Sequence, residues 1–410
     1  MSQLDEYHPL SASSRIERPA FSPSAIVLKR LLKQVQHGRL VLSLPGGEAI
    51  AVNGPSPGPE AKIAIVKWNS LRRLLTGGDI GFAQAYIEGE WTSPDLTSVI
   101  RFAARNHDTL LSTLRGSGWM RALNRVGHLL NANTRRGSRR NIEAHYDLGN
   151  DFYARWLDPS MLYSSAIWNE TTHSLENAQE QKLQCIAEKL ALEGGEKILE
   201  IGCGWGALAG YLAEYGDAQV TGITLSPSQL AWAQTAVKEV GKSDAIDLRL
   251  QDYRDVQGQF DRIVSIEMFE AVGEAYWPEY FATLKRCLKP GGRAVLQVIS
   301  IEETRYENYR RKADFIQKFI FPGGFLPSDK VLERDLVKAG LVLTDTEHFG
   351  HSYALTLAEW RQRFIANWPE IEKLGFDDKF RRLWEYYLCY CEGGFEEGVI
   401  NVGLYTIEHA

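Results

Sequence analysis

The segment KILEIGCGWGALAGYLAEYG, residues 197–216, constrains this chain more than any other. A short apolar run ends at Glu200, glycines follow at Gly202, Gly204 and Gly206, and an Ala- and Leu-rich helical stretch begins at once. Glycines spaced this way permit a tight turn and let a ligand approach the backbone at the carboxyl edge of a strand, where open α/β sheets bind ligands. The surrounding pattern agrees. From about residue 142, helical segments alternate with the β-branched runs KILEIG, QVTGIT, DLRLQD, DRIVSIE and RAVLQVI. That alternation predicts an α/β fold with a mostly parallel sheet and right-handed crossovers. Aromatic-rich segments at 303–332 and 358–400 read as insertions or late helices over one edge.

The N-terminal part has a different grammar. Residues 24–37 form a basic amphipathic helical pattern with Ile26, Leu28, Leu31 and Leu32 on one face. GRLVLSLPGGEAIAV predicts a hairpin around Pro-Gly-Gly, KIAIVKW a further strand, and SLRRLLTGGDIGFAQAYIEGEW a helix, a glycine break and a second helix. We take 1–115 as a small α+β domain, 116–141 as a basic linker carrying Arg135, Arg136, Arg139 and Arg140, and 142–410 as the α/β domain. A chain of 410 residues is long enough for such a division.

Composition narrows the function. A net charge of −6 excludes a general nucleic-acid binder. No apolar run approaches the roughly 18–20 residues that cross a bilayer, and MSQLDEYHPL lacks the basic segment and apolar core of a signal peptide. Five cysteines without paired C-x-x-C spacing argue for reduced thiols in a cytoplasmic protein, against a disulfide frame or a zinc site.

Dinucleotide enzymes favour G-x-G-x-x-G, with pyrophosphate at a helix N-terminus. This chain reads E-x-G-x-G-x-G, the pattern of methyltransferases that use S-adenosylmethionine, a ligand without phosphate. Supporting pieces follow in order. Thr224, Leu225 and Ser226 stand after the second strand, with Gln229 one helical turn on, placed for ribose hydroxyls. Gln251, Asp252 and Tyr253 stand after the third, where a carboxylate accepts a hydrogen bond from the adenine amino group. Glu200, Gly202, Gly204 and Gly206 complete the expected cofactor set.

Several longer segments carry a resemblance: AHYDLGNDFYARWLDPSMLYSSAIW (144–168), GITLSPSQ, QDYRD, FDRIVSIEMFEAVG (260–273), FIFPGGFLPS (319–328), SYALTLAEWRQRF (352–364) and YYLCYCEGGF (386–395). In order and spacing they resemble the cyclopropane fatty acid synthases and the mycolic acid cyclopropane synthases. The resemblance covers roughly 140–410 and is thinner over 1–130, where full-length synthases also carry a lipid-associating domain. It implies a Rossmann-like S-adenosylmethionine-dependent methyltransferase domain with a sheet of the seven-stranded type, acting on the cis double bond of an unsaturated acyl chain in a membrane phospholipid. It further implies a cytoplasmic enzyme attached peripherally to the inner face of the membrane, and a homodimer, since family members are often dimeric.

The chemistry so implied is demanding. An alkene is a poor nucleophile, so the methyl donor must meet it in a dry pocket, and methyl transfer leaves a carbocation that aromatic faces stabilise by on the order of 1–2 kcal/mol each. A base then removes a proton. Taken from the new methyl, it closes a cyclopropane; taken from a neighbouring chain carbon, it leaves a methyl-branched or methylene product. By the resemblance, Glu270 and Tyr387 match active-site positions that hold a bicarbonate base together with a Cys, a His and a backbone group. The Cys position is Ser165 here, the His position is Gln297, beside Ile299, and the residue after Glu270 is Ala271. Ser and Gln hydrogen-bond an anion without the titration of an imidazole, so the resemblance implies methyl transfer and leaves bicarbonate binding and ring closure open. Tyr146 and Tyr163 match positions that close over the methionine end of the cofactor, and the adjoining Ser164 is counted with the cofactor-binding residues. Two other readings compete: a methyltransferase of small molecules or natural products, and a non-catalytic lipid-binding protein on the same scaffold.

Overall fold

The structure, a computed structural model, describes residues 28, 32–114, 148–239, 241 and 243–410. The expected hairpin is present: β1 (His37–Ser43) and β2 (Ala49–Asn53) pair antiparallel, with Leu40 opposite Val52. β3 (Ser56–Ile65) pairs parallel with β1, and β4 (Trp91–Thr92) closes a four-stranded sheet in the order β2-β1-β3-β4. The Asn69–Ile87 helix breaks at Gly78, whose φ is 61°. The helix expected over 24–37 lies largely outside the described residues, as do the four linker arginines and Tyr146.

This sheet is not isolated from the rest. Its Leu96–Arg105 helix packs against the long Asp378–Glu396 helix, and the contact is close enough that a Cβ on Gly393 would stand 2.9 Å from Ile100. Arg101 Nε meets Glu396 and Glu397 at 2.8 Å each, and Arg105 also binds Glu397. Tyr86 donates its hydroxyl to Glu385 at 3.0 Å. One apolar core therefore runs from Leu42, Ile63 and Val99 to Trp384 and Tyr387.

The larger sheet has seven strands: β5 (Lys197–Ile201), β6 (Gln219–Thr224), β7 (Ile246–Leu250), β8 (Phe260–Ile266), β9 (Leu288–Ile301), β10 (Leu341–His348) and β11 (Ile400–His409). Their order is β10-β11-β9-β8-β5-β6-β7, with β11 antiparallel to both neighbours and the other pairings parallel. Strands β5 and β9 are buried along most of their length, as parallel strands covered by helices on both faces must be. The chain leaves β5 towards β6 on one side and returns to β8 on the other, so a crevice opens at the carboxyl ends of β5 and β8. Among the described residues no helix is long and apolar enough to cross a membrane.

Candidate active site

The crevice begins at the glycine loop. Gly202, Gly204 and Gly206 all have positive φ (87°, 52° and 90°), which an L side chain adopts only with strain. Gly202 and Cys203 both donate their N–H to the Ile223 carbonyl at 2.9 Å, pinning the loop to β6. A Cβ at Gly206 would crowd Ala233 at 2.9 Å, whereas one at Gly204 would meet nothing within 4 Å, because that position faces open space. Trp205, inside the loop, is buried and donates to Asn150 Oδ1 at 2.8 Å, so the segment from Leu148 onward lies across the loop. Glu200 is buried beneath it, its Oε2 without a partner among the described residues, and burial raises its carboxyl to about 8.

The next two strand ends continue the wall. Thr224 donates its hydroxyl to Gln229 Oε1 at 3.0 Å, and both line the crevice together with Leu225. Ser226 sits behind them, accepting from Gln229 N at 3.3 Å. Gln251 and Tyr253 also line it. Asp252 does not present an open carboxylate: Arg254 takes Oδ1 through Nε at 2.8 Å and Oδ2 through Nη2 at 2.6 Å.

Past β8 stand two half-buried carboxylates, Glu267 and Glu270, both lining the cavity. Glu270 Oε1 accepts the Ile299 N–H, and its Oε2 has no partner among the described residues. Burial, then the neighbouring Glu267, raises Glu270 to about 8. Glu267 Oε1 accepts from Ser165 N at 2.8 Å and Gln297 Nε2 at 2.7 Å, and Oε2 accepts from the Tyr353 hydroxyl at 2.6 Å. Burial raises Glu267 as well, opposed by Tyr353, Ser165, the Lys182 ammonium and Gln297. Lys182 is wholly buried, donates to Ser164 Oγ at 2.7 Å, and is pushed down to about 8 by burial. Tyr387 and Tyr163 share a hydroxyl hydrogen bond of 2.8 Å over the same space.

The structure thus brings Glu270, Ile299, Tyr387 and Tyr163 together on one cavity wall, and places Ser165, Gln297 and Ser164 behind it as supports. Sequence reasoning passed over Glu267, Tyr353 and Lys182. The first was hidden as the last letter of a strand-like run; Tyr353 stands in the SYALTLAEWRQRF segment, whose resemblance does not single out that tyrosine, and Lys182 comes from the Leu175–Leu190 helix with no motif of its own. The cavity has a volume of about 2150 Å³ and a mainly apolar wall, roughly twice the upper end of ordinary ligand pockets. It runs from Gly204 past the carboxylates and Phe321 to Leu42, Ile63 and Phe102 of the N-terminal sheet.

Residues 133–404 match the mycolic acid cyclopropane synthetase family. The chain belongs to that family. A tuberculostearic acid methyltransferase of Mycobacterium tuberculosis is 36% identical over 399 residues, covering 95% of this chain and 92% of the relative. The cyclopropane-fatty-acyl-phospholipid synthase of Escherichia coli is 37% identical over 363 residues, covering 87% and 89%. The crystal structure of a mycolic acid cyclopropane synthase complexed with SAH (S-adenosylhomocysteine) and CTAB superposes with a TM-score of 0.62 at 30% identity, covering 66% of this chain and 97% of that one. This member of the family is accordingly an S-adenosylmethionine-dependent methyltransferase with the α/β fold expected.

Its residues fit that cofactor. Gly204 leaves room against the backbone, Thr224, Gln229 and Gln251 offer polar atoms for hydroxyl and amino groups, and Glu270 Oε2, without a partner among the described residues, is an acceptor that a bound cation would satisfy. A positive charge favours the ionised form of a nearby carboxyl. Binding of S-adenosylmethionine at pH 7 is therefore expected to release protons, and S-adenosylhomocysteine, which lacks the sulfonium charge, to release fewer. Calorimetry in two buffers of different ionisation enthalpy measures this; equal, zero release for both ligands would contradict it.

Proposed function

We propose that this protein transfers a methyl carbon from S-adenosylmethionine to the cis double bond of an unsaturated acyl chain in a membrane phospholipid. The observation that carries the reading is a mainly apolar cavity of about 2150 Å³ that links the glycine loop to the N-terminal sheet, large enough for an aliphatic tail. A small polar substrate would leave most of that surface uncovered.

S-adenosylmethionine, when bound, supplies an electrophilic methyl carbon on sulfur. The chain's own residues do the rest. Apolar side chains of both sheets exclude water, so that interactions with charge are strong. The rings of Tyr163, Phe321, Tyr353 and Tyr387 face the cavity and stabilise a carbocation. Glu270, with one donor and one open oxygen, responds to positive charge by ionising. The acyl chain enters, in this reading, from the side of residues 1–115, while the basic segment 116–141 holds the enzyme peripherally against the anionic inner leaflet, each basic side chain near the surface contributing about 1 kcal/mol.

Vesicles of monounsaturated phosphatidylglycerol test the proposal. With S-adenosylmethionine labelled at the methyl group, the label is expected on the former alkene carbons of the acyl chain, each modified chain gaining one CH₂. Charge reversal at Arg135, Arg136, Arg139 and Arg140 is expected to reduce co-sedimentation with these vesicles at low salt. Label absent from the acyl fraction would overturn the substrate, and unchanged sedimentation the membrane attachment.

A further inference from the structure

Glu267 is built into the site with unusual care. It follows the last residue of β8 with φ +47°, a left-handed conformation that strains any side chain by roughly 1–2 kcal/mol and that concentrates at functional sites. Its own N–H is locked to the Gln297 carbonyl at 2.9 Å. Donors from three other segments converge on its carboxylate: Ser165 N and Gln297 Nε2 on Oε1, and the Tyr353 hydroxyl on Oε2. Glu270 beside it receives one. Three donors favour the charged form of Glu267 against one for Glu270, so of the two neighbouring carboxyls Glu267 is the better held as an anion, with the buried Lys182 near it. Glu267 and Tyr353 both line the cavity, and among the described residues Tyr353 alone donates to Oε2, leaving that oxygen a lone pair for a proton.

We propose that Glu267 is the proton acceptor of the reaction, a carboxylate of the chain standing where the family resemblance would put a bicarbonate ion. Gln297, through its side-chain amide, and Ser165, through its backbone N–H, are the positioning residues that hold it. The inference rests on the acyl-chain reading above. In the first step the alkene's electron pair forms a carbon–carbon bond to the transferred methyl, the carbon–sulfur bond breaks, and its pair stays on the departing neutral thioether. The resulting alkyl cation loses one C–H proton to Glu267 Oε2. The pair from that C–H bond closes the ring or forms a new double bond, and Glu267, now a neutral acid, later returns the proton to water. No oxidant or reductant is needed.

The test combines three arms on the full chain. Wild type in buffer stripped of CO₂ is expected to methylate monounsaturated phosphatidylglycerol at its full rate, without stimulation by added bicarbonate. Glu267→Gln is expected to lose about 10²–10⁴-fold in turnover, the usual contribution of a positioned base, with S-adenosylhomocysteine affinity by calorimetry unchanged. Glu267→Gly, which removes the carboxylate and suits the left-handed backbone, is expected to regain turnover with added bicarbonate or formate and to broaden the ¹³C NMR signal of labelled bicarbonate, which wild type leaves sharp. A bicarbonate requirement in wild type, full activity in Glu267→Gln, or no bicarbonate binding by a folded Glu267→Gly would overturn the proposal. Wild type that leaves the lipid unmethylated would instead overturn the acyl-chain reading, and the NMR arm would still decide whether Glu267 fills an anion site.

Discussion

Glu270→Gln is expected to lower turnover by about 10²–10³-fold while S-adenosylhomocysteine binds as before. The amide has the shape of the acid and still accepts the Ile299 N–H, so the local backbone has no reason to move. What changes is the second oxygen. Glu270 Oε2 is a buried acceptor with no partner among the described residues, and the substitution puts there an NH₂ group whose positive end would face a developing carbocation. The same variant has a stability signature. Burial raises the folded carboxyl from 4.5 to about 8, so between those values the folded protein keeps a proton that the unfolded chain gives up. The group's contribution is full below about 4.5 and is lost as pH rises through 8. Glu270→Gln should therefore lose less stability than wild type between pH 5 and 8 in thermal unfolding without ligand. Wild-type turnover in this variant would remove Glu270 from the chemistry.

Gly204→Leu is expected to weaken S-adenosylhomocysteine binding by at least about 100-fold, near 2.7 kcal/mol, at a smaller loss of folding stability. Its Cβ would touch no atom of the protein, so nothing in the fold opposes the side chain except the left-handed backbone, about 1–2 kcal/mol. The space it would fill is the cavity wall beside the loop. Gly206→Leu makes the contrast: there the added Cβ would strike Ala233, so folding itself should suffer. Tight ligand binding by a folded Gly204→Leu variant would place the cofactor elsewhere.

The parts of this protein visible in its sequence are those where local chemistry leaves few options. Three positive φ angles in one loop demand glycine, and the largely buried parallel strands carry β-branched runs between helical segments, so β5, β6, β8 and the glycine loop were legible. Strands β10 and β11 were not among the runs picked out. β10 is an edge strand with mostly exposed, polar residues (LVLTDTEH), and β11 begins only three residues after a helix, across a short turn at Gly398. Glu270 stood out as an acid in an apolar flank. Glu267 did not, because what distinguishes it is a backbone angle and donors at positions 165, 297 and 353, which only the closed sheet brings together. The pairing of Asp252 with Arg254 is two residues long in sequence yet depends on a short helical turn at Tyr253–Asp255 that aims both side chains the same way. The reach of the cavity into the N-terminal sheet was likewise invisible, since it depends on how the Leu96–Arg105 helix seats on the Asp378–Glu396 helix.

The most direct measurement is a crystal structure of the enzyme with S-adenosylhomocysteine and a monounsaturated phospholipid. An acyl tail is expected to thread the cavity, its alkene carbons beside Glu267, Glu270 and Tyr387 and about 3–3.5 Å from where a methyl on the cofactor's sulfur would lie. A lipid bound with its tail outside that cavity, or with its double bond far from the sulfur, would contradict it.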